Sequence, residues 1–247
     1  MKLEKIVTWL DQTLDVAAFD DVSNNGIQVE RDHGSGIGDQ VKVVAFAVDA
    51  SVKAVKAAAK AGAQLLVVHH GISWGGGIRR IEGGIYNVVK AAMDANLAIY
   101  ACHLPLDAHP VLGNNAQLAK LLGLKRIKPA FTYHGNVIGL TGVLENLETL
   151  ETLVPLEHLA TLKAPTRVGV CSGGAGEFAE EAKRLGCGLY VTGEASWGDV
   201  IAAENCGMEM ICAGHYETEV FGIRAVAKAM AKALKVKTVD LSQNGRI

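Results

Sequence analysis

Long apolar runs are missing from this 247-residue chain. Asp49 ends the run Val41–Val48 and His69 ends Leu65–Val68, so no segment approaches the roughly 18 residues that cross a bilayer as a helix, and no membrane partner is expected. Aromatic residues make up only 5% of the chain, which argues against a small aromatic-cored barrel. Cysteine is sparse: residues 102, 171, 187, 206 and 212 are odd in number and form no Cys-x-x-Cys pair. Neither a disulfide framework nor a thiolate zinc site is thereby implied, and the thiols are expected to be reduced core residues. Charge of one sign is missing too. With 24 Lys and Arg against 26 Asp and Glu, the net charge is −2 and no basic stripe stands out, which counts against nucleic acid as a partner. There is no G-x-x-x-x-G-K-[ST] phosphate loop and no G-x-S-x-G nucleophile elbow.

What is present is an Ala/Val/Leu/Ile-rich chain, 49% hydrophobic, long enough for two modest domains. Such a composition excludes disorder and suits an α/β fold with helices on buried parallel sheets. Met1–Asp15 carries Glu4, Asp11 and Asp15 among apolar residues at helical spacing. It reads as an amphipathic helix rather than a secretory leader, so a cytoplasmic protein is expected. The polar segment 20–26 reads as a turn around Asn25-Gly26. A strand–helix–strand unit follows: Val41–Val48, Ser51–Ala61 and Leu65–Val68. A helix near Ile85–Asn96 leads to a strand at Leu97–Cys102, a loop at His103–Asn114 and a helix from Asn115 to Leu122.

The second half repeats the plan. Strands are expected at Arg167–Cys171, Leu189–Thr192 and Met208–Cys212, with helices at Ala175–Leu185 and Trp197–Asn205. A loop at Ala213–Glu219, a helix at Ile223–Leu234 and a strand at Val236–Leu241 complete it. Placing Asp49–Trp74 over Ser172–Trp197 without a gap gives six identities in 26 positions, all on corresponding elements. After a shift of offset, His103-x-x-x-Asp107 lies over His215-x-x-x-Glu219. We read an internal duplication of two related halves, with the change of domain inside Lys125–Ala164, where Phe131–Val143 has strand character.

Three polar groupings therefore stand at carboxyl ends of buried strands: His69-His70, His103 to Asp107, and His215 to Glu219. Ligands of open α/β sheets bind outside those ends. Imidazole with carboxylate and no thiolate favours Zn, Mn, Fe, Co or Ni over Ca or Mg. Two adjacent histidines at a strand end suit a pair of ions, and a carboxylate such as Glu219 can bridge ions roughly 3.5–4 Å apart, as in two-metal hydrolytic sites. His109, before Pro110, reads as a surface residue, and His33, His134 and His158 as structural or exposed. Trp74 and Trp197 read as core packing, and Asn114 and Asn115 as helix-capping residues. The turn Ser172-Gly173-Gly174-Ala175-Gly176 opens a helix, where its amides could cradle an anion.

Several motifs together resemble one family. Asn25-Gly26-Ile27-Gln28-Val29, Val68-His69-His70-Gly71, His103-Leu104-Pro105-Leu106-Asp107-Ala108-His109-Pro110 with Gly113-Asn114-Asn115, Cys171-Ser172-Gly173-Gly174, Thr192-Gly193-Glu194 and Gly214-His215-Tyr216-x-Thr218-Glu219 occur in order over most of the chain. The set resembles the GTP cyclohydrolase 1 type 2 homologues, also described as dinuclear metal-centre hexameric proteins. The resemblance implies two similar interlocked α/β domains of three-layer type, residues 1–127 with 222–247 and residues 128–221, with no further inserted domain. It implies a toroidal homohexamer, a trimer of dimers. It also implies two divalent metal ions held by His69, His70, Asp107, His215 and Glu219, with His103 as a nearby acid–base group. A metal-dependent hydrolase acting on a nucleotide or related heterocycle is the leading expectation. A non-catalytic metal store, delivery factor or regulator is the alternative.

Overall fold

A computed structural model describes residues 1–32, 40–152 and 162–244. Among them lie two five-stranded sheets and eight α-helices, a mixed α/β fold. The chain divides into two units, Met1–Leu106 with Ile223–Ile247 and Asp107–Gly222. Residues 107–127 thus belong to the second unit, where the sequence expectation had given them to the first. His33 and His158, expected to be structural or exposed, and part of the expected domain change lie outside the described residues. No helix among the described residues is long and apolar enough to cross a membrane.

In unit one the strands are β1 (Gly26–Val29), β2 (Val43–Asp49), β3 (Leu65–His70), β4 (Ala98–Ala101) and β10 (Lys237–Asp240), in the order β1-β4-β3-β2-β10. All pairs are parallel except β1 with β4. The central strands are buried along almost their whole length, as expected for a parallel sheet covered on both faces. Alternation sends Ala45, Ala47, Leu66, Val68, Ile99 and Ala101 to one face, against helices α2 (Val52–Lys60) and α3 (Gly83–Asp94). Tyr100 points to the other face, where its hydroxyl donates to Asp11 of α1 (Leu3–Leu14) at 2.7 Å. Ser51 caps α2 by accepting from the Ala54 amide, and Gly62 leaves the helix at φ 72°.

Unit two holds α5 (Asn114–Leu121), β5 (Lys125–Tyr133), β6 (Asn136–Leu144), β7 (Thr166–Cys171), α6 (Ala179–Arg184), β8 (Leu189–Thr192), α7 (Trp197–Cys206) and β9 (Glu209–Cys212). The sheet order is β5-β6-β7-β8-β9, with β7, β8 and β9 parallel. The expected strand segment at 131–143 is two strands, β5 and β6, joined at His134 (φ 47°) and Gly135 (φ 79°). Two successive positive φ values match the right-handed twist of a tight hairpin. The core under this sheet joins Leu118, Leu122, Leu144, Val168, Val170, Leu189, Val191 and Ile211.

Two expected loops are partly helical. The short helix α4 (Leu104–Ala108) occupies the start of the loop after β4. Helix α8 (His215–Leu234) begins eight residues before the expected Ile223. Its first turn is wholly polar, so apolar periodicity could not reveal it. The Thr218 hydroxyl and amide both bond the Gly214 carbonyl at 3.0 Å and hold that turn. The i, i+4 spacing of His215 and Glu219 is therefore a helical one, which sets both on one face.

Candidate metal centre

The parallel strands of unit one deliver their polar residues at one end of the sheet. β2 ends in Asp49, β3 in His69-His70, and β4 leads into His103. The His69 ring is fully buried. The rings cluster, with centroids 4.5 Å apart for His69 and His70, 5.1 Å for His69 and His103, and 5.7 Å for His70 and His103. One ligand atom from each of the three lies within 4.8 Å of the others.

Each imidazole is fixed through Nδ1. His69 Nδ1 lies 3.0 Å from the Cys102 carbonyl, His70 Nδ1 lies 2.9 Å from Asp49 Oδ1, and His103 Nδ1 lies 2.9 Å from Asp21 Oδ1. An acceptor at Nδ1 keeps the proton there and puts the lone pair on Nε2, the arrangement that makes a histidine a metal ligand. Asp21 is in turn held by the Ser23 amide at 3.0 Å and by the Asn25 side chain and Leu104 amide, both at 2.8 Å. Burial opposes its charge, but the bond and charge of His103, with Ser23 and Asn25, lower its pKa to about 2. Asn25 Oδ1 also accepts the His103 amide at 2.8 Å.

Unit two contributes buried carboxylates. Asp107 is 6% exposed and Glu219 2%, and an oxygen of one lies within 4.8 Å of an oxygen of the other. Asp107 Oδ1 accepts the Asn114 amide at 2.8 Å and the Ser172 hydroxyl at 3.0 Å. Glu219 Oε1 is 3.2 Å from His215 Nε2, and His215 Nδ1 is 3.0 Å from Glu194 Oε1. Gly173, at φ 70°, passes so close to Glu219 that a Cβ there would meet the carboxylate. Two carboxylates buried this near each other repel, and a divalent cation removes that repulsion. On donor chemistry the residues fit such an ion: imidazole and carboxylate, with no thiolate. Cys171 is buried, and burial, with the nearby Asp107 charge, holds its thiol well above the usual range.

Several sequence expectations are corrected here. Asn114 and Asn115 do not cap α5, whose N-cap residue is Gly113. Both are buried polar hubs instead. Asn114 joins Asp107 to the Gly222 amide (2.7 Å), and Asn115 accepts the Ser172 amide (2.7 Å) while donating to the Ile138 carbonyl (2.8 Å). Trp74 and Trp197 are not core residues but are 38% and 76% exposed. His109 is half-buried, its Nδ1 accepting the Val111 and Leu112 amides. The glycine turn after β7 faces the carboxylates of Glu219 and Glu194, an environment that repels an anion. Cys206 and Cys212 lie outside the core, although burial and the charges of Glu194 and Asp199 still raise the Cys212 pKa. Asp21, Asp49 and Glu194, which orient His103, His70 and His215 respectively, were given no role in the sequence reading. Their signal was weak: each sits in an irregular segment or at a strand end, without periodicity.

Oriented imidazoles at the strand ends of unit one, and neighbouring buried carboxylates in unit two, each on an α/β frame, define a candidate metalloprotein. The chain belongs to the Duf34/NIF3 (NGG1p interacting factor 3) family, whose profile matches residues 1–245. It is 39% identical, over 97% of each chain, to a Pyrococcus horikoshii protein named GTP cyclohydrolase 1 type 2 homolog. A Deinococcus radiodurans protein of the same name is also 39% identical, covering 91% of this chain and 86% of its own. The solved structure of protein ybgI, titled as of unknown function, superposes with a TM-score of 0.85 at 31% identity over 98% of both chains.

Proposed function

We propose that His69, His70, Asp107, His215 and Glu219 together hold two divalent transition-metal ions, drawn from Zn, Mn, Fe, Co or Ni, and that the protein is a metal-dependent hydrolase of a nucleotide or related heterocycle. The observation that carries this reading is the clustering of the His69, His70 and His103 imidazoles, each fixed at Nδ1, so that Nε2 of His69 and His70 would coordinate and Nε2 of His103 would handle a proton. Buried Asp107 and Glu219 supply the negative charge that two cations require. The substrate class comes from the name of the relatives.

Bound ions would supply Lewis acidity, bringing water near ionisation at neutral pH and offsetting charge on the leaving side. His103 accepts or returns a proton at Nε2, because Asp21 holds the opposite nitrogen and stabilises the imidazolium that results. Asn114 and Ser172 both donate to Asp107 Oδ1 and so hold that carboxylate in a fixed orientation. The same reading includes the internal duplication, with one His-x3-carboxylate motif per half, and a toroidal homohexamer.

Elemental analysis of protein purified without added metal, followed by a nucleotide panel with that metal, tests the reading. About two metal equivalents per chain and product release that falls at least 100-fold in His215→Ala and Glu219→Ala are expected. Unchanged release in those variants would overturn the mechanism. Tightly bound, exchangeable metal with no turnover would give the store or regulator instead.

A further inference from the structure

The segment that follows His70 is held unusually firmly for an irregular stretch. Gln28 Oε1 accepts the Ile72 and Ser73 amides at 2.6 and 3.1 Å, while its Nε2 donates to the Asn24 and Ser73 carbonyls at 2.7 and 3.3 Å. Asn24 donates to Ser73 through both its amide (3.1 Å, to the carbonyl) and its side chain (2.8 Å, to Oγ). Ser23 bridges Trp74, and the Gly75 amide donates to the Val22 carbonyl at 2.7 Å. Gly71 must lack a side chain because a Cβ there would meet the Gln28 amide. All this fixes Trp74, yet leaves its indole 38% exposed.

The indole stands beside the imidazole cluster. Its centroid is 5.1 Å from that of His103, with the planes at 78°, and 6.0 Å from that of His70. Its Nε1 donates internally, to the Gly71 carbonyl at 3.1 Å. The polar handle of the ring is therefore spent inside the protein, and what remains for a ligand is a flat π surface on a rigid mount. A ring that served only packing would be buried, and one that served only solubility would not be pinned from two strands away.

We propose that Trp74 is the platform on which the ligand of this site stacks a planar heteroaromatic ring, and so sets specificity for ligands with an aromatic ring over sugars and phosphates without one. The inference deepens the metal-site reading, from which it takes its location. It does not depend on turnover. Asn24 and Gln28 act through Trp74 as positioning residues.

The test is equilibrium binding by metal-loaded, full-length protein of GMP, a pterin and nicotinamide mononucleotide, against ribose 5-phosphate as the probe without an aromatic ring. Base–aromatic stacking contributes roughly 1–3 kcal/mol, so Trp74→Leu is expected to weaken at least one ring-bearing probe by about 5- to 150-fold. Trp74→Phe should restore most of that loss, and ribose 5-phosphate should bind all three proteins alike. Ring binding should also quench indole fluorescence in the wild type and not in Trp74→Leu. Equal binding of ring-bearing probes by wild type and Trp74→Leu, or no binding of any of them by wild type, overturns the proposal. Loss of bound metal in Trp74→Phe overturns it as well, since the ring would then be a structural support. Ring binding that depends on Trp74 in a protein without turnover would leave this inference standing and remove the hydrolase.

Discussion

Unit one orients bases with acceptors: a backbone carbonyl and two carboxylates each accept a hydrogen bond from Nδ1 of an imidazole. Unit two orients mainly acids, and it does so with donors and with space. Asn114 and Ser172 donate to Asp107, and Gly173 yields the volume that Glu219 occupies. The contrast follows from what each group needs. An imidazole has two nitrogens and must be told which one keeps its proton, so a single acceptor suffices. A carboxylate has no such ambiguity, but buried it needs donors and room. Unit one should therefore tolerate exchange of an acceptor, whereas unit two should fail when its backbone turn is disturbed.

The largest expected effect tests that contrast directly. Gly173→Ala meets two penalties, a left-handed φ of 70° and collision of the new Cβ with the Glu219 carboxylate. Left-handed backbone alone costs roughly 1–2 kcal/mol with a side chain, and displacing a buried carboxylate should bring the loss to about 2–4 kcal/mol. Urea denaturation of the metal-free protein measures it. A loss below about 1 kcal/mol would show that the turn can shift and that space is not what sets Glu219.

The second prediction concerns the buried acid in the unit of bases. Asp21 has its pKa lowered from 3.8 to about 2, so its stabilisation is fully present above about pH 4 and is lost as pH falls through 2. That shift is linked to about 2 kcal/mol of stability near neutral pH. Asp21→Asn should lose about that much at pH 7 and show a flatter stability profile between pH 4 and 2. A variant with the wild-type acid profile would mean that the His103 bond contributes nothing to folding.

The two halves also differ in how legible they were. His69-His70 and His103 stand directly after buried apolar strands, so strand ends located them. His215 and Glu219 shared the spacing of His103 and Asp107, but their helix was hidden, since five polar residues in its first turn carry no apolar period. Residues that hold the histidines from irregular segments, such as Asp21 and Asn25, have no spacing rule, because their positions depend on how distant segments meet. Asn114 and Asn115 were misread since short polar side chains before a helix ordinarily cap it. Here they are buried, where each must bond in several directions at once. Trp74 was misread for the opposite reason: a large apolar ring is core by default, and only its surroundings show that it is not.

The smallest expected effects come from matched exposed acceptors, one per unit. Asp49 orients His70 with its side chain 48% exposed, and Glu194 orients His215 with its side chain 64% exposed. Solvent screens both pairs, so Asp49→Asn and Glu194→Gln should each change folding stability by less than about 1 kcal/mol. Their effect should instead appear in metal affinity, because an imidazole that loses a charged acceptor becomes a weaker base, and partners of this kind contribute about 10-fold or more. Competition titration against a chelator, run beside thermal melts of the metal-free variants, separates the two quantities. Asp49→Asn and Glu194→Gln both keep a carbonyl oxygen at the same reach, so a loss well below about 10-fold in each would mean that orientation matters more than charge. A melt shifted as far as that of Gly173→Ala, with metal affinity unchanged, would mean that these acids support the fold and not the basicity of the ligands.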